Sequence, residues 1–171
     1  MLAITSTGFI AGGMLVSKYG LGKNPVRTLL LMNLLLWGTC IIFPTVSSIW
    51  LVGLGFFAFM LLSPIAEACE QTILQKVVPL ERQGRVFGFG QSLENIASPF
   101  TAFLVGPLTQ FLVIPWLASP EGTIIFGGWW GTTPDRAMAL MFVLAGCIGL
   151  IITMIAFTTR SYRNLSTSYL R

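Results

Sequence analysis

The sequence predicts an all-α membrane protein with five transmembrane helices. Three observations carry that prediction. Apolar residues make up 54% of the chain and charged residues only 9%, against about 25% charge in an average soluble domain. The apolar residues gather into five runs, each near the ~20 residues that cross the hydrocarbon core of a bilayer. The connections between those runs place nine of the ten Lys and Arg residues on one side.

The runs follow in order. Residues 1–17 form the first span, already apolar at its first residue. That start, without a basic leader, is expected of a chain that is the later part of a larger protein. The second span covers 28–46 and reads TLLLMNLLLWGTCIIFPTV. The third covers 49–76; it is apolar to Ala66 and more polar toward Lys76. The fourth covers 86–114, most apolar after Ile96, and the fifth covers 137–157. Residues 115–136 are expected as an outer loop and 158–171 as a cytoplasmic tail. The whole chain reads as one partial helical bundle. Pro44, Pro64, Pro99 and Pro107 fall in or near spans, where neighbouring helices satisfy the freed backbone groups. Gly8 and Gly12 form a GxxxG pattern, which permits close helix approach.

Charge sets the expected topology. The first connection holds Lys18, Lys23 and Arg27. The second, at Ser47–Ser48, is uncharged. The third, with Lys76, Arg82 and Arg85, is basic again, and the tail holds Arg160, Arg163 and Arg171. The outer loop has only Arg136. Five crossings put the three basic segments together, and the positive-inside rule makes that side cytoplasmic. The N-terminus then lies outside and the C-terminus inside a cell membrane. Trp50, Trp116, Trp129 and Trp130 fall near the outer ends and Tyr19, Tyr162 and Tyr169 near the inner, as interfacial anchors do.

Several functions are excluded or left without residues. Basic residues stand singly between apolar runs, so no nucleic-acid surface is expected. Cys40, Cys69 and Cys147 lie inside apolar runs without a CxxC pattern and read as small buried hydrophobes. There is no histidine, so a zinc hydrolase with His ligands is excluded, and neither metal nor cofactor is expected. Gly20-Leu21-Gly22-Lys23 is not a phosphate-binding loop, and Gly88-Phe89-Gly90 lacks the third glycine of a dinucleotide fingerprint. The Asn164-Leu165-Ser166 sequon falls on the expected cytoplasmic side.

The chemistry-bearing residues are carboxylates and amides within spans. Gln91, Glu94, Asn95 and Ser98 fall at i, i+3, i+4 and i+7, one helix face. Glu67, Glu70, Gln71 and Gln75 repeat at helical spacing in the third span. At 1.5 Å per residue, Glu67 lies ~26 Å from Trp50, near the inner boundary, and Glu70 is closer still. Glu94 lies ~14 Å inward from Arg85 and is the deepest charge. An ionised group in hydrocarbon is costly and normally faces protein or a wet cavity. Two readings stand for each glutamate: a protonation site, or a partner of basic residues at the inner helix ends. Polar faces on the third and fourth spans, and charge-free second and fifth spans, predict that the former line an interior.

Two connections resemble those of the major facilitator superfamily. Gly13-Met14-Leu15-Val16-Ser17-Lys18-Tyr19-Gly20, followed by Lys23 and Arg27, is similar to its glycine/basic signature loop, with Ser17 where the family has Asp. Gln75-Lys76-Val77-Val78-Pro79-Leu80-Glu81-Arg82-Gln83-Gly84-Arg85-Val86-Phe87 resembles the connection before the eleventh helix in the macrolide-efflux-like, drug:proton antiporter branch. Ser98-Pro99 and Gly106-Pro107-Leu108 fit the helix that follows. Gly84 is expected to permit a tight helix start, and Arg82 and Arg85 to anchor it at headgroups.

The resemblance covers essentially the whole chain. It implies that the five spans are helices eight to twelve of a twelve-helix fold. It implies alternating access with an N-terminal half, and export of a small amphipathic substrate against protons. Glu94 is the expected protonation site, Gln91 and Asn95 its polar neighbours. Lys18, Lys23, Arg27, Arg82 and Arg85 serve topology and gating. The alternative is a non-transporting membrane subunit or scaffold that uses the spans for packing. An intramembrane enzyme built on Glu67 and Glu70 lacks a catalytic partner.

Overall fold

In a computed structural model of the chain, residues 2–46, 48–160, 162 and 166 are described. Ser47, Arg163, Asn164, Leu165, Tyr169 and Arg171 lie outside them, so the middle of the second connection, the sequon's asparagine and part of the tail are not described. The helices are α1 (Leu2–Tyr19), α2 (Pro25–Ile42), α3 (Ile49–Val77), α4 (Leu80–Leu108), α5 (Ile114–Leu117), α6 (Pro120–Phe126) and α7 (Pro134–Thr158). A 3₁₀ turn at Phe43–Thr45 extends α2, and a π turn at Thr109–Val113 joins α4 to α5. The described residues hold no strand.

Four of the described helical segments are long and apolar enough to cross a membrane: Pro25–Thr45, Ile49–Val77, Leu80–Leu117 and Pro134–Thr158, of 21, 29, 38 and 25 residues. Their surfaces are apolar too. Phe100, Phe103 and Phe111 on the third, and Ile148, Ile151, Ile152 and Ile155 on the fourth, all stand exposed. Exposed side chains of this kind along whole helices require lipid or protein around them. The chain has the build of a multi-helix membrane protein.

The chain divides into two compact units, one of residues 1–77 with 142–171, the other of residues 78–141. In the first, small residues set the packing. An added Cβ at Gly8 would stand 2.8 Å from the Phe57 carbonyl oxygen, and at Gly12 it would overlap the Leu61 carbonyl and lie 2.6 Å from Pro64 Cγ. The GxxxG pattern is therefore the seat of α1 on α3. Pro64 frees the Met60 carbonyl inside α3, and its ring fills the space that Gly12 leaves. Gly55 receives the Phe43 ring, which also meets Phe56 at 5.5 Å and Phe142 at 6.0 Å. Gly146 lies against Ile41 and the Trp37 carbonyl, and Gly149 against the Trp37 indole.

These contacts fix helix directions. Gly8 meets Phe57 and Gly12 meets Leu61, so α1 and α3 run parallel. Trp37 meets Gly149 and Phe43 meets Phe142, so α2 and α7 run antiparallel. The short connection from α2 to α3 makes that pair antiparallel as well. Lys18, Lys23, Arg27, Lys76 and Arg160 consequently gather at one end of this unit. A hydrogen bond closes that end: Asn24 Nδ2 donates to Ser166 Oγ at 2.6 Å. Asn24 also caps α2, its side chain accepting from the Arg27 N–H at 3.2 Å, with Pro25 in the first turn. Gly20 and Gly22 take positive φ of 69° and 76° in the turn before it, a conformation that favours glycine.

The second unit differs from the expectation of a plain outer loop over 115–136. Helix continues from α4 through the π turn to Leu117, and α6 follows. Ser119 Oγ accepts from the Gly122 N–H at 3.2 Å, Pro120 takes the first helical position and Glu121 the first turn. Val113, Leu117 and Ala137 form a small core, joined by Ile114, Phe126, Leu140 and Met141. This core holds the segment against the first turns of α7. Trp130, expected as an interfacial anchor, is only 5% exposed. Its indole N–H donates to the Arg136 carbonyl at 3.1 Å, and the Arg136 guanidinium lies 5.7 Å over its ring. Gly131, at φ 93°, makes the turn between them. Burial of Trp130 leaves no polar group unsatisfied, because its indole N–H finds a backbone partner.

Candidate functional site

The site begins with α4. Its polar stripe forms as the spacing requires: Gln91, Glu94, Asn95 and Ser98 share one face, and all four are exposed. Gln91 Nε2 donates to Glu94 Oε2 at 3.3 Å, so the first and second members of the stripe are joined. Ser92, off the stripe, turns its hydroxyl back to the Gly88 carbonyl at 2.8 Å. No residue of α4 from Leu80 to Leu108 is buried. Leu93, Ile96, Phe100 and Phe103 are as uncovered as the polar residues. The helix thus presents a carboxylate–amide pair and an apolar surface together.

Helix α3 carries the second group of carboxylates. Glu67 and Glu70 are exposed, as are Gln71 and Gln75, while Pro64, Ala66 and Cys69 on the same stretch are buried. The acidic face is therefore the one turned away from the packed seam. Ser63 Oγ donates to Glu67 Oε1 at 3.4 Å, one helical turn apart. Each stripe belongs to a different compact unit and is complete within its own helix.

Two threonine hydroxyls near the prolines of α4 bond back to the preceding turn. Thr101 Oγ1 donates to the Ala97 carbonyl at 2.7 Å, beside Pro99, and Thr109 Oγ1 donates to the Val105 carbonyl at 2.7 Å, beside Pro107. The carbonyls that Pro99 and Pro107 leave without a ladder donor are those of Asn95 and Phe103, so these hydroxyls add second donors to other carbonyls. The π turn follows Pro107 directly, and such widened turns concentrate at functional sites in helices.

The connections around 13–27 and 75–87 are more helical than their sequences indicate. Gly13 lies within α1, exposed, with open space where a Cβ would stand; its neighbour Gly12 makes the close approach. Lys18 lies in the last turn of α1 with its ammonium 5.4 Å from the Tyr19 ring centroid. Gly20 does form the turn, its N–H donating to the Val16 carbonyl at 2.8 Å. Lys23 and Arg27 are exposed beside it. In the second connection only Val78 and Pro79 separate α3 from α4. Pro79 occupies the N-cap position, and Glu81 sits in the first turn, where an acid complements the helix dipole. Arg82 and Arg85 follow, exposed, and Gln83 Nε2 donates to the Val78 carbonyl at 3.0 Å.

Gly84 corrects an expectation. It is an ordinary helical residue with open space around it, and it is not among the positive-φ glycines. The tight start comes from Pro79 and the Gln83 bond instead. The residues that sequence reading missed are the caps, Asn24 and Ser119, and the Trp130–Arg136 pair. The Asn-Pro and Ser-Pro-Glu strings were the available signals.

Among the described residues, no group of three or more His, Cys, Asp or Glu is placed to hold a metal ion. What the arrangement offers chemically is a carboxylate beside an amide on a membrane-length helix, a group able to take up and release a proton next to hydrogen-bonding neighbours. No protein-family model, curated protein or solved structure matches this chain.

Proposed function

We propose that this chain supplies five crossings of a major-facilitator-type secondary transporter, with the N-terminal end of α1 outside the cell and the tail after α7 in the cytoplasm. The transporter exports a small amphipathic compound in exchange for protons by alternating access, with a second helical half completing the cavity. The observation that carries the reading is α4: a membrane-length helix whose Gln91–Glu94–Asn95–Ser98 stripe and apolar face are both uncovered. A carboxylate at such depth is retained where a wet interior or a proton relay needs it. Broken helices and polar stripes near the midplane are what alternating-access transporters place at their sites. In the first unit, the gathering of Lys18, Lys23, Arg27, Lys76 and Arg160 at one end supports the cytoplasmic assignment of that end.

In this reading α1 is the first crossing, added to the four long apolar helices and seated on α3 through Gly8 and Gly12. Glu94 exchanges the proton, Gln91 orients its carboxylate, and Asn95 and Ser98 extend the polar track. Glu67 and Glu70 lie nearer the cytoplasmic boundary and are further candidates for proton exchange. Arg82 and Arg85 hold the start of α4 at anionic headgroups.

The test is a pair of assays on the intact transporter in proteoliposomes. Glu94→Gln abolishes substrate efflux driven by an imposed pH gradient and preserves downhill substrate exchange. Gradient-driven efflux that continues at the unaltered rate assigns Glu94 a packing role and removes the proton-coupling proposal.

A further inference from the structure

The segment between α4 and α7 presents an apolar surface that the transport reading leaves without a purpose. Ile124 is 83% exposed, Ile125 55% and Trp129 73%. Ile125 and Trp129 are one helical turn apart, and the Trp129 indole N–H donates to the Ile125 carbonyl at 3.2 Å. The single polar group of this tryptophan is therefore satisfied within the segment. Its ring also stacks on Phe126 at 6.0 Å, and Phe126 meets Trp116 at 5.9 Å. An isoleucine pair and a tryptophan standing in water would be unfavourable by roughly 25 cal/mol for each Å² of apolar surface.

The position of the segment decides what covers that surface. It begins right after the long helix Leu80–Leu117 and ends where Pro134–Thr158 starts, both of membrane length. The core of Val113, Leu117, Ala137, Leu140 and Met141 ties it to the ends of both helices. Gly122, buried against the Trp116 and Leu117 carbonyls, seats α6 flush on α5. The segment cannot stand away from the membrane surface. It cannot cross either, because seven residues of helix span only about 10 Å. Residues held at that level, apolar on the outside and rich in tryptophan, match the boundary between headgroups and acyl chains.

We propose that Ser119–Trp130 is a lipid-docking element that seats Ile124, Ile125 and Trp129 in the headgroup boundary of the bilayer. It makes α6 a short interfacial helix, and it fixes the outer level of α4 and α7. The proposal rests on the membrane reading of the flanking helices and is independent of transport and of Glu94.

The test places a nitroxide at one position at a time in the full chain, reconstituted in phosphatidylcholine nanodiscs, with Cys40, Cys69 and Cys147 replaced by Ala. At Ile125→Cys, relaxation by oxygen, which partitions into lipid, exceeds relaxation by a water-soluble nickel chelate. At Thr123→Cys, exposed and about 200° round the helix from Ile125, the ratio reverses. Ile148→Cys, on the exposed face of α7, reports whether the chain is in the bilayer at all, so a failed membrane reading shows there first. Equal nickel access at Ile125 and Thr123 overturns the proposal, and so does an immobile Ile125 label shielded from both reagents, which would mean that protein covers the face. A second measurement keeps the native cysteines. The emission lost in Trp129→Phe gives the Trp129 share, and lipid nitroxides near the headgroup quench it more than nitroxides deep in the acyl chain. A Trp129 share that neither quenches contradicts lipid docking.

Discussion

Helices α3 and α4 have the same length and opposite situations. Both run 29 residues, both contain proline, and both carry a face of carboxylates and amides. α3 buries Pro64, Ala66 and Cys69 and accepts α1 through two glycines, so Glu67 and Glu70 occupy the face left over. α4 buries nothing along its length, so its polar stripe and its phenylalanines are equally unclaimed. The difference teaches that a polar stripe has two origins. On α3 it is the far side of a packed helix. On α4 it belongs to a helix whose circumference, polar on one side and apolar on the other, has no buried residue.

Breaking the comparison begins where the packing is tightest. Gly12→Leu drives a side chain into the Leu61 carbonyl and the Pro64 ring, and overpacking of this kind costs about 3 kcal/mol or more. The expected outcome is a lower thermal unfolding midpoint in detergent and loss of α1–α3 cross-linking. A Gly84→Leu change in α4 meets open space and leaves the midpoint unchanged or raised. An equal loss from the two would erase the contrast between the helices.

Next in size is Trp130→Phe, which removes the indole bond to Arg136 and weakens the cation contact, for about 1–2 kcal/mol together. Faster proteolysis within residues 115–136 is the readout. Ser119→Ala removes the cap of α6 and costs about 1 kcal/mol. Hydrogen exchange at the Gly122 amide rises by the corresponding factor. The smallest effect is at Gly13. Gly13→Ala gains helix propensity of up to about 1 kcal/mol without a clash, and a measured destabilisation would reveal a neighbour that α1 meets elsewhere.

Much of this was legible in the sequence, for definite reasons. The α3 and α7 boundaries follow from apolar runs that stop at charged or proline-bearing connections. The gathering of basic residues at one end followed from counting crossings, and the contacts of Gly8, Gly12, Trp37 and Phe43 reach the same grouping within the first unit by geometry. The stripe of Gln91, Glu94, Asn95 and Ser98 followed from period alone. Tertiary choices were not legible. Period and composition do not decide that Gly12 rather than Gly13 meets α3. Trp130 and Trp129 are adjacent, and both indoles reach a backbone carbonyl, yet one packs under Arg136 and the other stands exposed. The outer segment was read as loop because α6 is too short for an apolar period to register, although its Ser-Pro-Glu start is a sound helix signal.

The account depends most on what surrounds α4, and one scan addresses it. Single cysteines from Gln91 to Phe100, in a chain without Cys40, Cys69 and Cys147, are exposed to a water-soluble maleimide in intact membranes. The account predicts labelling at Gln91, Glu94, Asn95 and Ser98 and protection at Leu93, Ile96 and Phe100, a period of three to four residues along one wet face. Labelling without that period, or protection at Glu94 and Asn95 together, would contradict a water-filled interior beside α4.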